Sequence, residues 1–296
     1  MIALAGLLLA GQAAEPATSA RPDDQDAIVI RGTLPETQSE MVREMVRALA
    51  PGSVRDTVPR FHDPLCPFVV GLPEESASLV TTRMRAVAEA VGLGAAKPDC
   101  KANLLLVVAS EREPLFKHWR KNHPDIFFGR EPADIRRLRD TEGPIVSWQI
   151  IQPADRNLDP LPRDIITGVT YNESSEDPLR LRVATRPDVR ASVVVVDSEA
   201  VDGISTYQLA DHVLMSALAP MRRSAAEDLD APTILHLFRE IDSEQGAVQS
   251  VTAWDFAFLR AMHSTENTAY AASFRSEVQA KMEDELSRRS AEELEE

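Results

Sequence analysis

Positive charge is scarce in this sequence: 32 Lys and Arg stand against 47 Asp and Glu, a formal net charge of -15 over 296 residues. A nucleic-acid binder needs cations to displace counterions from phosphates, so no nucleic acid is expected as a partner. The one locally basic stretch, "FKHWRKNHP" at 116–124, is flanked by Glu111, Glu113 and Asp125. It reads as a solvated helix end, where cations complement the dipole, with aromatics that pack. Cysteine is equally sparse. There are two, Cys66 and Cys100, with no C-x-x-C and no nearby His pair at ligand spacing, which argues against a redox pair or a metal site. Long apolar runs are missing as well. "IALAGLLLA" at 2–10 has nine residues, too few to cross a bilayer core of ~30 Å, and no later run approaches that length. Also absent are a G-x-S-x-G elbow, a Walker loop, a G-x-G-x-x-G after a strand, and any repeat of fixed period. A Ser, His and acid triad gathered from distant positions is a question of geometry that spacing leaves open.

What is present fits a soluble globular chain, with 44% hydrophobic and 27% charged residues and enough length to bury a core. The apolar run at 2–10, with small Gly11 and Ala13 behind it, reads as an export signal over 1–14, although no Lys or Arg precedes it. Residues 15–26 have the Pro, Ser, Ala and acidic bias of a disordered linker. The expectation is an exported protein, periplasmic or secreted, with no transmembrane span once the signal is removed. A partner in the envelope is possible on that reading.

Each cysteine stands just before a short apolar run of buried-strand type, "FVVGL" and "LLLVVA". Between the runs lies a helix signature. Pro73 suits a first turn, Glu74 and Glu75 suit its positive end, and Gly92 suits its stop, while Ala77, Val80, Met84, Val87, Ala88 and Val91 share one face. Strand, helix and strand form a right-handed βαβ unit with parallel strands. Cys66 and Cys100 then sit at the same end of two strands, ~4.8 Å apart if adjacent, within reach of a disulfide.

An α/β region with this unit spans 27–152, including a strand at "DAIVIRG", a helix over 36–49, a helix at "EPLFKHWRKN", a Pro- and Arg-rich connection and a strand at 145–152. The run 153–178, rich in Pro, Asp and Asn, is a loop or a boundary. Residues 179–290 hold a strand pair, "LRLRVATR" and "RASVVVVDS" joined through "RPDV", and then helices, among them "ILHLFREI" with Ile234, Leu237, Phe238 and Ile241 on one face; the sequence leaves open whether they share the first domain. In "SVTAWDFAFLRAMH", Thr252 caps with Asp255 three residues on, and Val251 can staple against Phe256. A last helix covers 267–289, and 291–296 is an acidic tail. The fold class is therefore α/β with an α+β tendency: a mixed sheet, a βαβ unit in the N-terminal half and a helical C-terminal third.

One helix carries the chemical question. In "STYQLADHVLMSALA", Gln208, Asp211 and His212 follow i, i+3, i+4 spacing and share a face. A zinc-peptidase helix needs two ligands one turn apart and a carboxylate to activate water. The inverted motif H-x-x-E-H overlays on Gln208, Asp211 and His212 with one good ligand of two, and the forward motif fits worse because Leu209 stands where its acid belongs. The plainer reading makes Ser205 and Gln208 a capping box and leaves Asp211 and His212 facing water or a neighbouring loop. These three residues are the catalytic candidates; His236 and His263 could be recruited to them but sit on otherwise unremarkable helix faces, and no cofactor or metal is expected.

The segments "PLCPFVVGLPEE", "VVVVDSEAVDGISTYQLADHVLMSALA" and "TILHLF…SVTAWDFAFLRAMHS" resemble those of uncharacterised exported proteins of Gram-negative bacteria. The C-terminal half is similar to secreted bacterial proteins of zinc-peptidase-like layout. In those, a strand leads into a metal-site helix and a later helix carries "lT-x-x-D-x-x-x-L-r-x-L-y", matched here at Thr252, Asp255, Leu259 and Arg260. The diagnostic histidine and glutamate are missing, so the resemblance implies a scaffold. The expectation is a non-catalytic envelope or periplasmic protein that binds or supports. A divergent metal-dependent hydrolase around Asp211 and His212 is the alternative.

Overall fold

The computed structural model describes residues 36–53, 56–94, 96–97, 99–155, 158–162, 185–221, 226, 228–240, 248–266 and 270–295. The expected signal, linker and "DAIVIRG" strand lie outside them, as do "LRLRVA" and most of 153–178. The described elements run α1 (Glu36–Leu49), β1 (Pro67–Val70), α2 (Glu74–Ala90), β2 (Leu104–Ala109), α3 (Arg112–Asn122), α4 (Pro132–Arg139), β3 (Ile145–Ala154), β4 (Arg186–Asp197), α5 (Thr206–Leu218), α6 (Ala253–Ser264) and α7 (Ala271–Glu295). Mixed α and β structure is the result, with a four-stranded sheet of order β1-β2-β4-β3.

The βαβ unit forms as its pattern predicts. β1 and β2 are parallel neighbours, with Pro67 opposite Leu104, and α2 buries Val80, Met84, Val87 and Ala88. Cys66 and Cys100, at the same end, are joined in a disulfide with Cα atoms 6.0 Å apart. Gly71 follows β1 because only it fits: its φ is +91°, and a Cβ there would stand 2.0 Å from the Val108 carbonyl oxygen. β4 adds in parallel to β2 and antiparallel to β3.

Strand alternation divides the core into two layers. Val194 and Val196 of β4 face a large core built by α1, α2, α5, α6 and α7. Val193 and Val195 face a smaller aromatic layer of Phe116, Trp119, Phe127 and Trp148 under α3. There Phe127 stacks on Trp148 with centroids 5.4 Å apart, and the buried indole N–H of Trp148 donates to the Ile126 carbonyl.

Three local expectations are corrected. The Pro- and Arg-rich connection holds a helix, α4, because Glu131 and Asp134 form a capping box ahead of a proline at its start. "RPDV" is no turn but the first part of β4, paired with β3 across a bulge at Ile150/Ile151. Its Asp188 is buried and bound by His62 and Arg190, which holds the chain extended. "ILHLFREI" begins as a 3-10 turn, Ile234–His236, capped by Thr233, and is α-helical over Leu237–Glu240, where the described residues of this run end. At the other end α7 continues through the acidic tail to Glu295. Among the described residues no helix is long and apolar enough to cross a membrane.

Candidate functional site

α5 begins as its first residues dictate. The Ser205 hydroxyl accepts from the Gln208 N–H at 3.1 Å, and the Gln208 carboxamide oxygen accepts from the Ser205 N–H at 2.9 Å. These two bonds satisfy donors that a helix start leaves over. The Gln208 amide nitrogen donates outward to the Val248 carbonyl. At the far end the Ala217 carbonyl accepts from both the Ser192 hydroxyl and the Gln149 amide, each at 2.9 Å, which pins α5 to the sheet.

The polar stripe is turned away from bulk water. All three residues are buried, Asp211 at 1% and His212 at 3% exposure. Asp211 takes a bidentate grip from Arg83 of α2, with Nε and Nη2 both at 2.8 Å, and accepts the Val251 N–H at 2.8 Å just before α6. That carboxylate raises the Arg83 pKa, the hydrogen bond being the largest cause. His212 Nδ1 lies 2.9 Å from the Ile234 carbonyl, which can only accept, so Nδ1 carries the proton. Its ring meets Phe238 edge-on at 4.8 Å.

The Ile234 turn is itself held by Asp255 of α6. This carboxyl is fully buried and accepts from the Thr233 hydroxyl at 2.6 Å, the Ile234 N–H at 2.8 Å and the Thr252 N–H at 3.0 Å. Burial raises its pKa against the lowering effect of those bonds. The stripe thus belongs to a hydrogen-bonded frame tying α5 to α2, the 234–236 turn and the start of α6. Among the described residues no three His, Cys, Asp or Glu side chains converge as a metal site would require.

Beside His212 the structure opens a cavity of about 470 Å³. Ile145, Leu235 and Phe238 give it an apolar wall, Thr141, Ser147, His212 and Ser216 supply polar groups, and Arg239 brings a cation to its lining.

A second buried polar cluster escapes the sequence reading altogether. His62 Nδ1 is 2.7 Å from Asp188, whose other oxygen meets Arg190 Nε at 2.8 Å. Arg60 Nε points to His62 Nε2 at 3.2 Å, and its Nη1 donates to the Met262 carbonyl. Desolvation lowers the His62 pKa and brings Arg60 down to about 10. His263, whose Nε2 is buried without a hydrogen-bond partner, is lowered to about 3, by desolvation first and by Arg60 and His62 next. With His62 Nε2 turned to a guanidinium, this His and Asp pair is arranged to hold the 60–62 segment against β4 and α6. No local pattern announces such a cluster, because 126 residues separate His62 from Asp188.

Comparison with known proteins adds no constraint: no protein-family model matches this chain, no curated protein matches its sequence and no solved structure matches its fold.

Proposed function

We propose that the chain is an exported, non-catalytic binding protein of the cell envelope, taking a small apolar or amphiphilic molecule in the cavity beside His212. The carrying observation is the pairing of that cavity with a stripe whose Asp211 already spends both oxygens on Arg83 and Val251. A volume of about 470 Å³ lies in the range of small-molecule sites, which are mostly apolar with a few placed polar groups. Export is supported by the apolar run at 2–10 and by a disulfide of the kind oxidising compartments sustain. The resemblance of the three segments to exported proteins of Gram-negative bacteria points the same way.

The test is a titration with N-phenyl-1-naphthylamine, whose emission rises in apolar surroundings. Wild type should enhance emission saturably, and Ser216→Leu, which narrows the cavity, should weaken the rise while keeping the native circular dichroism. Equal enhancement in a folded Ser216→Leu protein sinks the assignment. The metal-hydrolase alternative is decided on the same preparation. Stoichiometric zinc that disappears in His212→Ala would restore it.

A further inference from the structure

α3 and α4 converge on a second cavity, also about 470 Å³, whose chemistry runs against the rest of the chain. Its walls carry Lys117, Arg120 and Lys121 from α3 and Arg136 and Arg139 from α4, with Glu113 as the one acid. In a protein with 15 more acids than bases, five cations around one acid is a local reversal of charge. Arg139 is taken up by its neighbour Asp140 through two hydrogen bonds. Lys117, Arg120, Lys121 and Arg136 are exposed and make no close ion pair or side-chain hydrogen bond among the described residues, although Arg136 lies near enough to Asp140 to help lower its pKa.

Helix-dipole complementarity explains part of this pattern. Arg120 and Lys121 lie in the last turn of α3, and Arg136 and Arg139 in the last turn of α4. It does not explain Lys117 in the middle of α3, nor why the basic faces of two helices share one concavity. Like charges gathered at one concavity repel through solvent, and a multivalent anion entering it relieves that repulsion. The floor is solid, since Phe116 is buried and packs on Trp119, Phe127 and Trp148. A rigid apolar base carrying flexible cationic arms suits a compact anion.

We propose that this groove binds a ligand carrying a diphosphate or other multiply charged phosphate group. The guanidinium groups of Arg120 and Arg136 match phosphate oxygens in paired hydrogen bonds, while Lys117 and Lys121 act as point charges. A single carboxylate would leave most of the cationic charge unanswered, whereas a diphosphate answers it. This site is separate from the cavity beside His212, and either can fail without the other.

The experiment titrates the full chain with inorganic pyrophosphate by calorimetry. Sulfate at matched ionic strength is the control, and vesicles of phosphatidylcholine with or without phosphatidylglycerol form a parallel arm. The double variant Lys117→Glu/Arg136→Glu changes two exposed positions, and a milder pair, Lys117→Gln/Arg136→Gln, guards against misfolding. Pyrophosphate should bind wild type at least about tenfold more tightly than either variant, with affinity falling as salt screens the groove. If only the phosphatidylglycerol vesicles bind, the groove responds to a surface of singly charged phosphodiesters and the proposal of a multiply charged phosphate is overturned. Equal binding of sulfate and pyrophosphate, unchanged binding in both variants, or no binding in any arm overturns the proposal.

Discussion

Removing Arg83 strands the Asp211 carboxylate, and the consequence can be worked from the structure. The Asp211 side chain is wholly buried and Arg83 is 26% exposed, so the two partners fail differently. In Arg83→Met the carboxylate keeps the Val251 N–H and loses both charge-assisted bonds. Stranding a buried charge in this way costs about 3–5 kcal/mol. With a urea slope near 3 kcal/mol/M, the upper end of the usual range, the unfolding midpoint should fall by about 1–1.7 M. In Asp211→Asn the guanidinium left behind can turn toward solvent, so the cost should be smaller, about 1–3 kcal/mol. The ordering reverses the intuition that the more buried partner is the more damaging one to remove. Midpoints from urea titrations decide the matter. A loss under about 1 kcal/mol in Arg83→Met refutes the claim that Asp211 is held by that one cation.

Three further outcomes follow from particular contacts. Gly71→Ala should cost about 3 kcal/mol or more, because its methyl meets the Val108 carbonyl at 2.0 Å and its φ is +91°; an unchanged thermal midpoint would contradict this. His263, lowered from 6.5 to about 3, stays neutral in the fold while the unfolded chain takes up a proton below pH 6.5. Its contribution is therefore full above pH 6.5 and is lost at up to about 1.4 kcal/mol per pH unit on the way down to about 3; His263→Phe should flatten that slope in pH-dependent unfolding. Cys66→Ala/Cys100→Ala opens a loop between residues 34 apart and should lower stability by about 3–4 kcal/mol, while the wild type should show no reactive thiol in denaturant.

The parts legible in the sequence are those specified by near neighbours. α1 begins and ends at 36 and 49 because Met41, Val42, Met45, Val46 and Leu49 share a face and "APG" follows. The caps Ser205/Gln208 and Thr252/Asp255 depend only on residues three apart, and both form. The disulfide was readable because matched offsets from matched strands make a distant contact predictable from two local patterns. "RPDV" misleads because Pro and Asp are turn residues by local chemistry, whereas Asp188 is held straight by His62 and Arg190 in tertiary contact. α4 is missed for the opposite reason: it has eight residues, of which Ile135 and Leu138 are the large apolar ones, too short a run for spacing to mark a helix.

The same distinction governs the polar stripe. Spacing places Gln208, Asp211 and His212 on one face, but the chemistry of that face is set by what approaches it, and Arg83 comes from 128 residues away. A carboxylate that binds a catalytic cation needs lone pairs directed at open space, with second-shell donors only on the remaining ones. Asp211 has its two oxygens committed to a guanidinium and a backbone amide, and freeing them would leave Arg83 and the Val251 N–H without their acceptor. His212 is constrained from the other side, since Ile234, whose carbonyl fixes Nδ1, is itself anchored through its N–H to Asp255. A metal could engage His212 only through Nε2, and a single imidazole is one ligand where three or four are needed. The burial that makes the stripe look like a site is therefore what commits its groups to the frame, and the space left for a ligand is the apolar volume next to it.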